Sequence, residues 1–472
     1  MNDSGEHQRR PFLPRLESLV RSEIDALQGR KLHRQVLRIY EGNPFYRRLW
    51  KNHGVSPEDI RKRADIRRLP VVSKADFLAD QVSVPPFGSR LGIAPTDVYE
   101  VMLSTGTSGN AQEVYGLTVQ DAYLRGMGTA VGWYWSGLTK NDAAVFHIPA
   151  SNSASLGTML RGIRAVGRLP YLVGHEGFHD RLRLMEKFGV SAMYATPSGL
   201  NGLAQACVDV GIDPIQSFPA LRFIMTSTES WPIEWIYRME EFWHARIFEQ
   251  YGSTQVNGGN GASCCELGAV VNGRRGGLHL FEWTILYEVV DPITMNPVQD
   301  GESGELIITH LDMEASPIMR YRTGDRVTYR SHTQCSCGRQ YDLIEAGTIG
   351  RFDDMLKVKG QNLWPSELEP IIFAHVEIDE FQGRVYIGDK GRDEVELKCA
   401  LKATAEDRAG EIANALVQEL KDASGIRFNV KIVGRDRMPR SESTDRKARR
   451  WSDERYAGLG SGLNVPVKGI RE

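Results

Sequence analysis

The 472-residue chain has no stretch of 18 uncharged apolar residues, which leaves no candidate for a membrane-spanning helix. Its opening residues, Met1, Asn2, Asp3, Ser4, Gly5, Glu6 and His7, are polar and lack the apolar segment of a secretion signal. Six cysteines are too few for a disulfide scaffold at this length, so reduced thiols and a cytoplasmic location are expected. An excess of one charge is also missing. Lys and Arg total 58 against 60 Asp and Glu, a net charge of −2. That balance gives no electrostatic ground for a nucleic-acid or anionic-membrane partner. No internal repeat and no low-complexity tract is present. What is there is ordinary globular usage, 41% hydrophobic and 25% charged, at a length that suggests about three domains or lobes. Glycine is abundant, 47 residues, above the average of about 7%. Several loops are therefore expected to need unusual backbone angles or close approach of a ligand.

Hydrophobic periodicity divides the chain. Residues 12–52 read as helices: Leu16, Leu19, Val20, Ile24 and Leu27 recur at helical spacing, then Leu32, Val36, Ile39 and Tyr40. From about residue 98, short apolar runs (98–103, 143–148, 192–195, 223–225) alternate with helical stretches (180–188, 198–210). That alternation predicts α/β architecture with buried strands. Residues 277–345 are β-rich and broken by turn residues, which predicts a β-subdomain. From 354 to 440, strand-like 384–387, 394–401 and 429–433 surround a long helix at 405–423, a small α+β lobe.

Five polar motifs could carry chemistry. Ser104, Thr105, Gly106, Thr107, Ser108 and Gly109 follow an apolar strand. Hydroxyls alternating with glycine let N–H and O–H groups converge on an anion. No Gly-Lys-Ser/Thr is present, so this is not a Walker loop. Tyr251, Gly252, Ser253, Thr254 and Gln255 follow a second strand, where a Thr hydroxyl beside an aromatic could hold a phosphate and a flat base. Asp325, at the end of the Gly324 turn, could accept two hydroxyls. Arg351 and Asp353 lie between two lobes, where an Arg–Asp pair could meet phosphate or ribose, the Arg taking phosphate, and flex as a hinge. A basic run near the C-terminus includes Lys447. Each has a plain alternative as a surface loop, a turn or a solvated basic stretch.

The order of all five resembles the adenylate-forming superfamily and, within it, the phenylacetate–CoA ligase family. The resemblance spans nearly the whole chain. It is carried by Asn43-Pro44-Phe45-Tyr46, the Leu-Pro-Val-Val-Ser-Lys block at 69–74, Gly-Glu-Ser-Gly-Glu-Leu at 301–306, the block 317–325, Cys335-Ser336-Cys337-Gly338-Arg339 and the block 350–355. It implies a large N-terminal α/β adenylation domain (1–352), with a helical N-terminus at about 12–80 and the β-rich subdomain at about 277–345. A small mobile α+β C-terminal lobe (353–472) would follow. The implied activity is ATP-dependent activation of an aryl or heteroaryl carboxylic acid through an acyl-AMP, with transfer to coenzyme A. The alternatives are transfer to an amine or a carrier protein, and a non-catalytic nucleotide-binding relative. Mg2+ and a homodimer are also implied.

Residue by residue, the resemblance implies that Ser104, Thr105, Gly106, Thr107, Ser108 and Gly109 wrap the ATP phosphates. Tyr251, with Ser227, Thr228 and Glu229 at a strand end, would hold adenine. Thr254, in the turn with Gly252, Ser253 and Gln255, would touch the α-phosphate. Asp325 would accept the ribose hydroxyls and Arg351 would reach ribose or phosphate. Asp353 would be the hinge, Gly360 would line the approach of the thiol, and Lys447 would be the catalytic lysine of the mobile lobe. Three departures stand out. Gln255 stands where the family has a Glu that supports Mg2+, and an amide oxygen is a poorer ligand for a hard dication. Asn110 replaces a loop lysine. The spacing from Arg440 to Lys447 is longer than usual. Restoring Gln255→Glu is expected to tighten Mg2+ dependence if the missing carboxylate matters.

Cys335 and Cys337 from one turn, a thiolate from Cys264 or Cys265, and His279 could make a closed tetrahedral zinc site. The resemblance supports a structural Zn2+, with free buried thiols as the alternative. His175, Glu176, Gly177, Phe178 and His179 formally match a zinc-peptidase pattern, but Gly177 interrupts the helix such a site needs, and no metal is expected there. The stretch 147–157, with His147, Ser151, Asn152, Ser155 and Gly157, is small and polar where relatives surround the acyl group. It suggests a pocket that hydrogen-bonds a substituted aryl or heteroaryl acid, the alternative being a plain strand-to-helix loop; Trp133, Tyr134 and Trp135 could contribute a wall or equally be core.

Overall fold

The computed structural model describes residues 11–104, 112–147, 154–166, 171–173, 176–388, 391–438 and 450–455. The chain divides into two compact units at Phe352 and Asp353.

In the first unit, the helices Pro14–Glu17, Arg21–Gly42 and Pro44–Asn52 come first. The long helix buries Ile24, Leu32, Val36 and Ile39, the apolar stripe read from the sequence. Asn43 accepts from the Tyr46 N–H and Pro44 occupies the first turn, so the next helix begins where its cap requires. Further along, Ser56 caps a short 3₁₀ turn, Pro57–Asp59.

Among the described residues, a twelve-stranded sheet forms the body of this unit. Its first half is parallel: Tyr171–Leu172, Ala144–Phe146, Ala192–Tyr194, Phe223–Thr226 and Arg246–Tyr251 lie side by side. These strands are short and apolar because helices such as Phe178–Lys187 and Pro197–Val210 connect them and both faces are buried. Beyond Arg246–Tyr251 the sheet turns antiparallel. Ala262–Ser263, Gly277–Leu280, Leu343–Glu345, Tyr321–Arg330, Ser303–His310 and Ile285–Val290 follow in that order. This is the β-rich stretch read from the sequence.

One motif sits differently from its reading as a turn. Tyr321–Arg330 is a single strand that runs through Gly324 and Asp325. Glu305 pairs with Arg326 but Ile307 pairs with Arg322, so the strand carries extra residues at 323–325. Gly324 takes φ +72° there, which a residue with a Cβ resists. The result is a bulge that re-aims Asp325. Two blocks distant in sequence also meet: Val72 bridges to Tyr321, with Val72 N–H donating to the Arg320 carbonyl at 3.0 Å and Arg322 N–H to the Val72 carbonyl at 2.8 Å.

In the second unit, four strands order as Phe428–Val433, Asp393–Leu401, Ile378–Ile387 and Trp451–Asp453. The helix Ala409–Ser424 buries Ile412, Leu416 and Leu420 along one face. A 3₁₀ turn, Ala403–Arg408, occupies the first residues of the stretch read as one helix. Lys359 and Gly360 both have positive φ at the two-residue tip between Leu356–Val358 and Gln361–Leu363, the backbone of a tight hairpin.

Candidate functional site

The parallel strands end together, and at a sheet's carboxyl ends ligands find exposed loops and free N–H groups. After Phe223–Thr226 comes Ser227, whose hydroxyl meets the Tyr194 hydroxyl at 2.5 Å. Thr228 is exposed with φ +78°, a strained conformation for a β-branched residue. Glu229 accepts from the Ser198 hydroxyl at 2.6 Å.

After Arg246–Tyr251 comes the Gly252, Ser253, Thr254, Gln255 turn. A Cβ on Gly252 would lie 2.2 Å from the Gly259 carbonyl carbon, so only glycine fits. The turn is held from beneath by three buried side chains. Arg125 donates to the Thr254 carbonyl at 3.0 Å. His310 Nε2 donates to the Gln255 carbonyl at 2.8 Å, since a carbonyl can only accept. Gln255 Nε2 donates to Glu113 at 2.6 Å. With its carbonyls pinned inward, the turn keeps Thr254 partly exposed.

Tyr251, Asp325 and Arg351 converge. The Tyr251 hydroxyl donates to Asp325 Oδ2 at 2.5 Å and Arg351 Nη1 pairs with Asp325 Oδ1 at 3.0 Å. Asp325 sits directly opposite Arg351 in the strand pairing. Burial and the Asp325 charge push the Tyr251 hydroxyl well above its ordinary pKa, so it is a fixed donor. A carboxylate has room for further donors after these two.

Glu113, Arg125 and His310 are not among the residues singled out from sequence. Glu113 is 1% exposed, and burial raises its pKa despite the donors Tyr115 and Tyr321. Arg125 is fully buried, and burial lowers its pKa to about 10, so it stays charged at neutral pH. Its Nε and Nη2 have no hydrogen-bond partner among the described residues. A signal for it existed: Arg125 is one of only two charged residues, with Asp121, on an otherwise uncharged 18-residue helix.

His147 follows the Ala144–Phe146 strand and is 3% exposed. Neither ring nitrogen has a hydrogen-bond partner among the described residues. Burial, then Arg181, lowers its pKa to about 3, so the ring is neutral. Gly157 lies in the next helix, where an added Cβ would come 3.0 Å from Glu100. Of the two readings of Trp135, pocket wall or core, the structure shows the second. It is core, packed with Ile24, Val131, Phe281, Trp283 and Tyr341, and its indole donates to Glu17 at 2.8 Å. Its length along an amphipathic helix could not tell the two faces apart.

Cys265, His279, Cys335 and Cys337 place their ligand atoms within 4.8 Å of one another. Cys265 and Cys335 sulfurs are 3.8 Å apart, and Cys337 Sγ is 3.3 Å from His279 Nε2. Bonds of about 2.3 Å to sulfur in a tetrahedron give sulfur–sulfur edges of about 3.8 Å, so the spacing fits zinc. His279 Nδ1 faces the Tyr341 carbonyl at 3.3 Å, which orients Nε2 toward the sulfurs. Cys264 is outside this set. Its sulfur accepts from the Glu249 N–H at 3.4 Å. The guanidinium of Arg339 lies 4.3 Å above Trp135, whose ring meets His279 edge-on, so the cluster is walled by that core.

In the peptidase-like motif, Gly177 caps a helix that begins at Phe178, so Glu176 precedes the helix and does not share a face with His179. Asp353 lies in the turn Phe352–Asp354, at the division between the units. Thr105, Gly106, Thr107, Ser108, Gly109, Asn110, Ser151, Asn152, His175, Arg440 and Lys447 lie outside the described residues, as does the side chain of Ser155. Ser104, at the base of that first loop, pairs with Glu113: its N–H donates to the Glu113 carbonyl at 2.9 Å and its hydroxyl accepts from the Glu113 N–H at 2.9 Å.

Comparison with known proteins agrees with this geometry. The family model for AMP-binding enzymes matches residues 43–313, more than half of the chain, and that for the AMP-binding enzyme C-terminal domain matches 360–455. A phenylacetate–coenzyme A ligase of Thermus thermophilus is 29% identical over 470 residues, covering 91% of this chain and 97% of the relative. The Escherichia coli phenylacetate–coenzyme A ligase is also 29% identical, over 90% of this chain and 94% of its own. Among solved structures, a 2-hydroxyisobutyryl-CoA ligase in the postadenylation state superposes with a TM-score of 0.84 at 22% identity, covering 96% of this chain and 94% of the other. The fold is that of adenylate-forming ligases, and the chain belongs to the AMP-binding enzyme family.

Proposed function

We propose that this enzyme is an AMP-forming acid–CoA ligase: it joins an aryl or heteroaryl carboxylate to ATP as an acyl-AMP, releasing pyrophosphate, and then passes the acyl group to coenzyme A. The observation that carries the reading is the convergence of Tyr251, Asp325 and Arg351 beside a turn whose carbonyls are pinned by Arg125 and His310. Asp325 suits the ribose hydroxyls, Arg351 suits ribose or phosphate, and the Thr254 hydroxyl suits the α-phosphate. Tyr251, with Ser227, Thr228 and Glu229, suits the base. Negative charge grows on the α-phosphate oxygens as the carboxylate attacks phosphorus, and fixed donors and a cation lower that barrier without covalent catalysis. The named relatives support both half-reactions.

Gln255 does not fit the role of a Mg2+ ligand. Its Oε1 accepts from the Ser253 hydroxyl at 3.2 Å while its Nε2 is taken by Glu113. Its amide is committed to the protein. The four-residue cluster of Cys265, His279, Cys335 and Cys337 fits a structural Zn2+, which would tie the hairpin at 335–337 to the antiparallel half of the sheet and supply no chemistry to the substrate. His147 supports an acyl pocket with a polar contact, because a neutral buried imidazole without a partner among the described residues gains from a hydroxyl, amino or ring-nitrogen group on the acid.

Acid-dependent ATP–pyrophosphate exchange over a panel of phenylacetates, benzoates and pyridine carboxylates tests the first half-reaction, and detection of the thioester by mass after adding CoA tests the second. Exchange with an aryl acid and a thioester are expected. ATP binding with no exchange for any acid would reject the activity. Exchange without a thioester would move the acceptor to an amine or a carrier protein.

A further inference from the structure

Glu113 is the point where three separate segments of the nucleotide site meet. Its backbone pairs with Ser104, the residue that opens the Ser/Thr/Gly motif of the sequence. Its Oε2 accepts from Gln255, in the turn that carries Thr254, at 2.6 Å. Its Oε1 accepts from Tyr321, at the start of the strand that carries Asp325, at 3.2 Å, and from Tyr115 at 3.0 Å. The carboxylate is 1% exposed and Gln255 8%. No water competes for these bonds at that depth, and each donor faces an acceptor.

We infer that Glu113 and Gln255 form a matched pair, one carboxylate and one amide, that sets the register between the phosphate loop and the Thr254 turn, with Glu113 as a positioning residue for ATP. The inference rests on the nucleotide reading of this site. Its content is the pairing of types. One carboxylate facing one amide satisfies every polar atom, including the Ser253 hydroxyl on Gln255 Oε1. Two facing carboxylates would repel at hydrogen-bond distance and could be accommodated only by sharing a proton. The pair is close to symmetric: exchanging the two residues keeps the bond across the pair and the bonds from Tyr115, Tyr321 and Ser253. A Gln at 113 still offers an oxygen to Tyr115 and Tyr321, and its amide still donates across the gap. Gln255→Glu alone is therefore expected to disturb the site, whatever its effect on Mg2+ dependence. The charged and titratable groups facing the pair are Tyr115, Tyr321, Lys74 and Arg90. Even beside these two cations burial raises the Glu113 pKa, so a second carboxylate at the same depth is costly to keep charged.

The test is ATP binding by calorimetry at pH 8 and pH 5.5, with melting temperatures without nucleotide, for the full-length protein, Gln255→Glu, Glu113→Gln and the exchange Glu113→Gln/Gln255→Glu. Relative to the unsubstituted protein at the same pH, Gln255→Glu is expected to bind ATP about thirty-fold more weakly at pH 8 and only a few-fold more weakly at pH 5.5, where one proton bridges the pair. The exchange is expected within about five-fold at both pH values, far better than the product of the two single losses. Losses in the exchange that multiply, a Gln255→Glu loss that ignores pH, or an exchange variant that does not fold would each overturn the inference. Recovery of melting temperature without recovery of ATP affinity would also overturn it, because the pair would then serve packing alone. If the unsubstituted protein binds no ATP, the nucleotide reading fails, while the melting temperatures still report the pair.

Discussion

At the scale of single residues, the proposed site rests on charges hidden behind the groups proposed to meet the ligand. Arg125 holds the Thr254 carbonyl from a position with no exposed surface. Removing it leaves a buried carbonyl without its donor and takes a cation from beneath the phosphate turn. Arg125→Met is expected to lower kcat/KM for ATP by about ten- to hundred-fold with little change in the KM of the acid, and Arg125→Lys to recover part of the loss. Initial rates of ATP–pyrophosphate exchange measure both, and an unchanged ATP dependence would count against the role. His310 makes a prediction about pH. Burial, then Arg125, lowers its pKa to about 3. The unfolded chain therefore binds a proton that the folded one refuses between about 6.5 and 3, and stability falls as pH falls through that window. His310→Gln, whose amide can donate to the same carbonyl, is expected to remove roughly 1.4 kcal/mol per pH unit of that slope, read from urea unfolding at pH 7, 6 and 5. An identical slope in the variant would contradict it. Neither Arg125 nor Glu113 was legible from sequence as part of a site. Glu113 and Gln255 are 142 residues apart, and nothing local to either announces the other.

At the scale of elements, what was legible followed from periodicity and capping. The helix Arg21–Gly42 and the short buried strands are fixed by their apolar spacing, and the helix start at Pro44 by Asn43. The Asp325 segment was misread as a turn because Gly-Asp is a turn signal. Only pairing with Ser303–His310 turns it into a bulge within a strand. The cysteine ligands were legible as a set, but adjacent Cys264 and Cys265 could not be separated until the strand set their opposite directions. The hairpin bearing Cys335 and Cys337 yields a prediction. The purified protein is expected to contain about one zinc per chain, and Cys337→Ser to lose it and melt several degrees lower. Metal analysis and thermal unfolding decide it. Unchanged zinc content in Cys337→Ser would remove that ligand, and no zinc in the parent would leave four reduced thiol and imidazole groups.

At the scale of the whole molecule, the chain is two units divided at residue 353, and chemistry in two half-reactions suits such a division. If Lys447 serves adenylation, Lys447→Ala is expected to slow acyl-AMP formation at least about a hundred-fold while sparing thioester formation from supplied acyl-AMP. Equal losses in both half-reactions, measured by rapid quench, would refute that assignment. The central claim is that Thr254, Asp325 and Arg351, drawn from a strand end, a bulge and a paired short strand, surround one nucleotide. A crystal structure of the full-length protein with a sulfamoyl mimic of phenylacetyl-AMP tests it most directly. The account predicts Asp325 on the ribose hydroxyls, Arg351 on ribose or the phosphate mimic, and Thr254 on the phosphate mimic. An adenylate mimic bound anywhere that leaves these three side chains without contact would contradict it.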